Sequence, residues 1–202
     1  MKPGMTSDAA NTTPSETSAA PDRSAGVPPA VAGDCPELAE GASPPRSSRW
    51  ATLIATFFGI GRLRPGPGTW ASAATVAIWA AVAYELPSWL RTLVALAVAV
   101  FVTLIGIPAA TRVARASATK DPQVVVIDEV AGQLIALIAI PLEWKTFLAS
   151  LILFRAFDIV KPPPVRQLER LPEGTGIVLD DVAAGIFALF VMHLLLHFAL
   201  LS

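Results

Sequence analysis

The stretch that decides the fold is VVVIDEVAGQLIALIAIP, residues Val124 to Pro141. It is almost wholly apolar, yet two adjacent acids, Asp128 and Glu129, stand where the apolar run begins. Its content of Ala and Leu predicts a helix, although the run of valines leaves a strand at residues 123–127 as a weaker alternative. Because a buried charge is costly unless it is paired or bound to a metal ion, the two acids need an explanation.

The composition of the chain predicts a membrane protein. Of its 202 residues, 53% are hydrophobic and 15% are charged, whereas about a quarter of the residues in a soluble domain are charged. The formal net charge of −1 gives no sign of nucleic-acid binding. The single cysteine, Cys35, excludes a disulfide within the chain.

Two regions of different character divide the sequence. Residues 1–49 contain eight of the 18 prolines and are rich in Ser, Thr and Ala, so we expect a disordered tail that buries too little apolar surface to fold. Residues 50–202 carry a series of apolar segments and are expected to form the helical membrane domain. The predicted fold class is therefore all-α, a multi-helix membrane-associated bundle.

Only some of the apolar segments are long enough to cross a bilayer. Residues 89–110 and 182–201 reach the length of about 20 apolar residues that a span needs. The segments at 129–142 and 147–157 are shorter, and they fit a re-entrant position, a buried position inside the bundle, or a span. When the segments are laid out alternately, the loops with Arg112, Arg115 and Lys120 fall on one face, which the positive-inside rule makes cytoplasmic.

A weak internal repeat places acids in two similar contexts. VIDEVAGQLIAL (126–137) and VLDDVAAGIFAL (178–189) each read two apolar residues, two acids, Val-Ala, Gly and an apolar run, with one extra alanine in the second. We expect each acid pair to open a helix on the same face of the bundle. Helix capping and the helix dipole explain one acid at such a position, whereas two facing pairs of carboxylates suit a hard cation such as Mg²⁺.

Cations accompany the acids in two further segments. Arg155, Asp158 and Lys161 are spaced by three residues, so a helix places them on one face before the three prolines end it. Two cations that flank an acid suit a phosphate beside a metal ion, and an internal salt-bridge cluster is the alternative. In GRLRPGPGTW (61–70), Arg62 and Arg64 would contact either a phosphate or lipid headgroups.

Four motifs in this order resemble the phosphatidylglycerophosphatase A family: RPGPGTWAS, KDPQVVVIDEVAG, LFRAFDIVKPPPV and GIVLDDVAAG. The resemblance runs from about Trp50 to the C-terminus. It implies a bacterial inner-membrane enzyme that needs Mg²⁺ and converts phosphatidylglycerophosphate to phosphatidylglycerol, and an all-helical fold around a central helix. Pro163 and the long tail depart from the family pattern. The matching positions are Lys120, Asp121, Asp128, Glu129, Gly132, Arg155, Asp158, Lys161, Pro162, Pro164, Asp180, Asp181 and Gly185.

The resemblance and the residue chemistry together give each candidate a role. The predicted metal ligands are Asp128, Glu129, Asp180 and Asp181. The predicted phosphate-binding residues are Arg64, Lys120, Arg155 and Lys161. The predicted catalytic residues are Asp128, Arg155, Asp158, Lys161 and Asp180, and attack by water and attack by an aspartate both remain open. The rival functions are an ion or solute transporter with acids along its pathway and a structural membrane subunit.

Overall fold

Helices account for all the regular secondary structure in the residues that the structure describes. The computed structural model describes residues 47–119, 121–163 and 165–198. Its elements are α1 (Arg49–Ala55), a short 3-10 turn (Ile60–Arg62), α2 (Pro67–Glu85), α3 (Ser88–Ser117), α4 (Ile127–Ala136), α5 (Trp144–Val160), α6 (Val165–Leu168) and α7 (Glu173–His197). The all-α prediction is confirmed, and residues 123–126 form a turn and its exit instead of a strand. Most of the predicted tail, residues 1–46, lies outside the described residues, so that expectation stays a prediction.

The helix in the opening stretch is the centre of the bundle. α4 packs against α2, α3, α5 and α7, and eight of its ten residues are buried. Its ten residues extend over only about 15 Å, since a helix rises about 1.5 Å per residue. The short apolar segment is therefore a buried central helix, as the resemblance implies. Of the re-entrant, buried and spanning positions that the sequence left open for it, the buried one is correct.

Two longer helices have the length and composition of membrane spans. α3 and α7 contain 18-residue windows with mean hydropathies of 2.6 and 2.0, and both were expected to reach spanning length. Large apolar side chains on the outer side of α3 are exposed, among them Leu93, Phe101 and Leu104. A wide apolar exterior of this kind marks a surface that another apolar phase covers, and the protein is membrane-associated.

Candidate active site

Charged residues from α4, α5 and α7 and from the segments before α4 and after α6 gather around one cavity of ≈ 410 Å³. The start of α2, the segment before α4, the first turn of α4, the end of α5 and the middle of α7 all contribute to its lining. The lining residues with ionisable side chains are Asp121, Asp128, Glu129, Arg155, Asp158, Lys161, Glu169, Asp180 and Asp181. The segments that the repeat and the cation spacing singled out therefore meet at one end of the bundle.

Three carboxylates form the most compact group in this cavity. Asp128 and Glu129 on α4 and Asp181 on α7 each offer an oxygen, and these three atoms all lie within 4.8 Å of one another. Asp128 and Asp181 are buried. Glu129 Oε2 is also buried and has no hydrogen-bond partner. We call these three residues the carboxylate triad.

Burial and mutual repulsion make the ionised triad unfavourable without a counterion. Burial raises the pKa of Asp128 well above its ordinary value, and the charges of Glu129 and Asp181 raise it further. Burial also raises the pKa of Glu129, although the nearby Arg155 guanidinium opposes this change. A bound divalent cation would remove this repulsion and occupy the free lone pairs of Glu129 Oε2, so the triad fits a hard cation that prefers carboxylate oxygens.

Arg155 lies between the triad and a fourth acid. Its Nη1 atom is 2.7 Å from Asp158 Oδ2 and 3.8 Å from Glu129 Oε1. The contact with Asp158 is close in distance, but Nη1 and Nε both lack a hydrogen bond with suitable geometry. Arg155 therefore contributes positive charge to the cavity wall and retains buried donors, which suits an incoming anion.

Lys161 is held by acids that lie outside the triad. Its Nζ atom donates a hydrogen bond of 2.6 Å to Asp180 Oδ2 and lies 3.6 Å from Glu169 Oε2. Partial burial alone would lower the pKa of Lys161, but its hydrogen bond and charge interaction with Asp180 outweigh that effect and raise the pKa above its ordinary value. Lys161 is therefore a permanent positive charge at neutral pH.

Lys161 reaches Asp180 because α5 ends one residue before Lys161. Lys161 therefore does not continue the helical face that carries Arg155 and Asp158. The helix stops at Val160, and Lys161 follows it with a left-handed backbone, φ 46°. The expected single helical face therefore holds only Arg155 and Asp158, which form the close i, i+3 pair described above. The turn at Lys161 directs its side chain to α7 instead.

The expectation that both acid pairs open a helix is wrong for the second pair. α7 begins at Glu173, so Asp180 and Asp181 lie about two turns inside it. The first pair does lie in the first turn of α4, but Val126 occupies the N-cap and no side chain caps that end. Capping therefore cannot explain Asp180 and Asp181, and for Asp128 and Glu129 only a dipole interaction remains.

Two residues of the site, Glu169 beside Lys161 and Gly68, were not predicted from the sequence. Gly68, in the first turn of α2, packs directly against Glu129 and Arg155, and a Cβ atom there would overlap Glu129 Oε1 and lie 3.0 Å from Arg155 Nη1. The signal for Gly68 was its place in the RPGPG segment, because a glycine permits close backbone approach as well as a turn.

Two predicted phosphate-binding residues, Arg64 and Lys120, remain to be placed. Arg64 lines a neighbouring cavity, together with residues 61–67 and 123–124. Lys120 and Pro164 lie outside the described residues. The roles proposed for Arg64, Lys120 and the other site residues stay predictions. Three of the four predicted metal ligands lie together in the carboxylate triad, whereas the fourth, Asp180, pairs with Lys161.

The protein is helical and membrane-associated, and its cavity combines carboxylates that could hold a metal ion with cations that suit a phosphate. The chain is a member of the phosphatidylglycerophosphatase A family, whose sequence model matches residues 53–196. The family resemblance of the four motifs is thereby confirmed.

Three relatives are similar to the chain over most of their lengths, and two of them carry the family's name. A Bacteroides thetaiotaomicron protein, whose name marks it as a proposed phosphatidylinositol-3-phosphatase, is 38% identical over 71% of this chain and 91% of its own length. The phosphatidylglycerophosphatase A of Haemophilus influenzae is 37% identical over 73% of this chain and 90% of its own length. That of Escherichia coli K12 is 31% identical over 72% and 83%. No solved structure matches the chain.

Proposed function

We propose that this chain is a Mg²⁺-dependent phosphatase that releases the terminal phosphate of phosphatidylglycerophosphate and leaves phosphatidylglycerol. The observation that carries the proposal is the carboxylate triad beside Arg155 and Lys161 in one cavity. A phosphoryl group needs a cation-rich environment to stabilise the charge on its oxygens during transfer. Family membership supplies the substrate class.

In this proposal the triad holds the metal ion. Asp128, Glu129 and Asp181 would be its protein ligands, and the bound Mg²⁺ would polarise the phosphoryl oxygens and acidify a bound water. Its charge would also relieve the repulsion among three buried carboxylates. Asp181 lies about two turns past the start of α7, so helix capping does not account for this acid.

The cations of the site bind and orient the phosphoryl group. Arg155 offers buried N–H donors, Nε and Nη1, that make no hydrogen bond of suitable geometry within the protein, and a guanidinium can bind two phosphoryl oxygens at once. Lys161, kept protonated by Asp180, supplies a second fixed charge. Asp158 keeps Arg155 in the cavity through their 2.7 Å contact, as Asp180 does for Lys161. Water would attack phosphorus directly, or an aspartate would attack first and water would then hydrolyse the aspartyl phosphate. In both routes the bond from phosphorus to the glycerol oxygen breaks, and one water molecule is consumed. That oxygen takes up a proton that comes from the water, and inorganic phosphate is released.

We place the cavity at the cytoplasmic surface of a bacterial inner membrane. Exposed aromatic side chains support a position at a bilayer interface, because Trp and Tyr concentrate there. Trp70 lies near the start of α2, on the cavity side. Tyr84, Trp89 and Trp144 are exposed at the opposite helix ends, and the Tyr84 hydroxyl donates to the Leu142 carbonyl there. A lipid could then keep its acyl chains in the bilayer while its headgroup enters the cavity.

The transporter and structural-subunit alternatives fit the site less well. The acids line a cavity at one end of the bundle together with the start of α2, instead of a path along the helices. A structural subunit would leave the buried triad without a counterion. The name of the Bacteroides relative adds a second candidate substrate, a phosphoinositide, that would undergo the same phosphomonoester hydrolysis.

The test is phosphate release by the purified full chain in detergent micelles. Phosphatidylglycerophosphate and phosphatidylinositol 3-phosphate should be supplied separately, with Mg²⁺ or with a chelator. We expect Mg²⁺-dependent release that is faster from phosphatidylglycerophosphate. A folded protein that releases no phosphate from either lipid at any Mg²⁺ concentration would overturn the proposal, and a preference for the phosphoinositide would reassign its substrate.

A further inference from the structure

A second cavity, of ≈ 540 Å³, adjoins the active-site cavity. Gly66, Pro67 and Gln123 line both cavities, so the two are neighbours across the segment that begins α2. The rest of its lining comes from residues 61–65 and from Val124. The two cavities are therefore adjacent, as sites for two phosphates of one ligand would need to be.

Close contacts and hydrogen bonds connect the segments around the second cavity to the helices of the active site. Gly61 packs so closely on the Val124 carbonyl that a side chain there would overlap it. The Val126 N–H, just before α4, donates a 2.8 Å hydrogen bond to the Ala55 carbonyl. On the other side, Trp70 Nε1 donates a 3.1 Å hydrogen bond to the Pro65 carbonyl. The loop that carries Arg62 and Arg64 is thus fixed relative to the start of α2 and to the acids of α4.

The two cavities differ in charge. Seven acids and two cations line the active-site cavity, whereas Arg62 and Arg64 are the charged residues of the second cavity and no acid lines it among the described residues. Neither arginine has an ion-pair partner in the part of the chain that the structure describes. The second cavity therefore suits an anion that binds without a metal ion, and the active-site cavity suits one that binds with it.

We propose that the second cavity binds the non-reacting phosphodiester of the lipid substrate, through Arg62 and Arg64. This inference rests on the proposed function, because phosphatidylglycerophosphate carries two phosphates that are separated by one glycerol unit. Its terminal phosphomonoester would lie at the carboxylate triad, and its phosphodiester would lie in the neighbouring cationic cavity. The phosphodiester is spared because it lies away from the triad and from Lys161.

Such a site would make the enzyme selective for lipids that carry both phosphates. Phosphatidic acid has a phosphomonoester but no phosphodiester, so it would leave the second cavity without a ligand. Binding energy from a part of the substrate that does not react contributes to kcat/KM for the lipid that has it. A hydrogen bond to a charged group contributes about 1.5–3 kcal/mol, which corresponds to roughly 10- to 150-fold.

The test compares the double variant Arg62→Gln/Arg64→Gln with wild type in micelles of an uncharged detergent. We expect kcat/KM for phosphatidylglycerophosphate to fall about tenfold or more, with any activity on phosphatidic acid changed by less than about twofold. The matched control is Arg166→Gln/Arg170→Gln. It removes the same two charges from exposed positions that line neither cavity, and it should leave both substrates nearly unchanged.

A second measurement needs no turnover. Short-chain phosphatidylglycerol keeps the phosphodiester and lacks the terminal phosphate, so calorimetry should show about tenfold weaker binding to Arg62→Gln/Arg64→Gln than to wild type or the control. Equal binding by all three proteins would overturn the inference, as would an equal loss on both substrates, which would mean general attraction to lipid headgroups. Arginine-dependent binding of phosphatidylglycerol by a protein that hydrolyses no lipid would contradict the proposed function and leave the phosphodiester site standing.

Discussion

Gly132 of α4 and Gly185 of α7 meet backbone to backbone. A Cβ atom at Gly185 would overlap the Gly132 carbonyl, and one at Gly132 would lie 2.5 Å from the Asp181 carbonyl. Each glycine follows a triad acid by four residues, about one helical turn: Gly132 follows Asp128, and Gly185 follows Asp181. The close crossing of the two helices is therefore what brings carboxylates from both helices together.

The first prediction concerns this crossing. Gly185→Ala should force α4 and α7 apart and destabilise the fold by about 1–3 kcal/mol, the usual cost of overpacking, with a larger loss of activity. Gly106→Ala on α3 is the matched control, because its Cβ would lie 3.3 Å from the movable Ile127 side chain. Thermal unfolding in detergent and phosphate release provide the measurements. Equal stability of the two variants would show that the glycine contact does not set the helix spacing.

The same crossing explains why the sequence did not single out the carboxylate triad. When the two repeats are aligned on their acids, Asp128 corresponds to Asp180, and this alignment predicts that all four acids are metal ligands. When they are aligned on their glycines, the extra alanine shifts the register and Asp128 corresponds to Asp181. The structure follows the glycine register, because backbone contact fixes it, and Asp180 turns to Lys161 instead.

Other parts of the fold were predictable to the extent that they depend on local pattern. The two candidate spans, α3 and α7, and the all-helical class follow from apolar length and composition. The start of α7 does not, since PEGTG reads as a loop. Gly174 lies against Thr111 and Ile107 of α3, where a side chain would not fit. Close packing on α3 therefore favours the helix over the weak helical propensity of glycine.

The second prediction concerns electrostatic strain in the triad. Because the pKa of Asp128 is raised in the folded protein, its ionised form destabilises the metal-free fold, fully so at pH values above that raised pKa. Asp128→Asn should therefore unfold at a higher temperature than wild type at pH 7 in a chelator. The rise should be about 2–4 °C for each kcal/mol that the substitution adds to the free energy of unfolding. The difference should shrink as the pH falls towards about 4, the ordinary value for an Asp carboxyl group.

Magnesium provides the control for this second prediction. It should raise the unfolding temperature of wild type and have little effect on Asp128→Asn, which has lost one ligand. Glu169→Gln removes an exposed acid from the same cavity and should show neither the stabilisation nor the lost response to Mg²⁺. An Asp128→Asn protein that is less stable than wild type in chelator would refute the proposed strain.

The third prediction concerns sidedness. Cysteine introduced at Ser117, at the cavity end of α3, should react with an impermeant reagent in inside-out vesicles and not in intact spheroplasts. Ser88→Cys, at the other end of the same helix, should show the opposite pattern. Both substitutions need a Cys35→Ser background, since Cys35 is the native cysteine. Labelling of Ser117→Cys from the periplasmic side would reverse the proposed orientation.

The fourth prediction concerns the N-terminal region. Removal of residues 1–45 should leave membrane insertion and kcat/KM within about twofold of wild type, because this segment has no pattern that could form a core. The family match begins only at residue 53, which agrees with a catalytic domain that lies beyond the tail. A truncated protein that inserts normally but has lost activity would assign the tail a role in catalysis.

The most direct test of the metal site is Mg²⁺-dependent turnover of phosphatidylglycerophosphate by Asp181→Asn and Asp180→Asn. The two acids are neighbours about two turns past the start of α7, so neither substitution removes a cap. The account predicts that Asp181→Asn abolishes most turnover or needs far more Mg²⁺, because it loses a triad ligand. Asp180→Asn should lower turnover by loosening Lys161 while the Mg²⁺ concentration for half-maximal rate stays near that of wild type. Normal turnover by a folded Asp181→Asn protein at wild-type Mg²⁺ concentrations would contradict the carboxylate triad as the metal site.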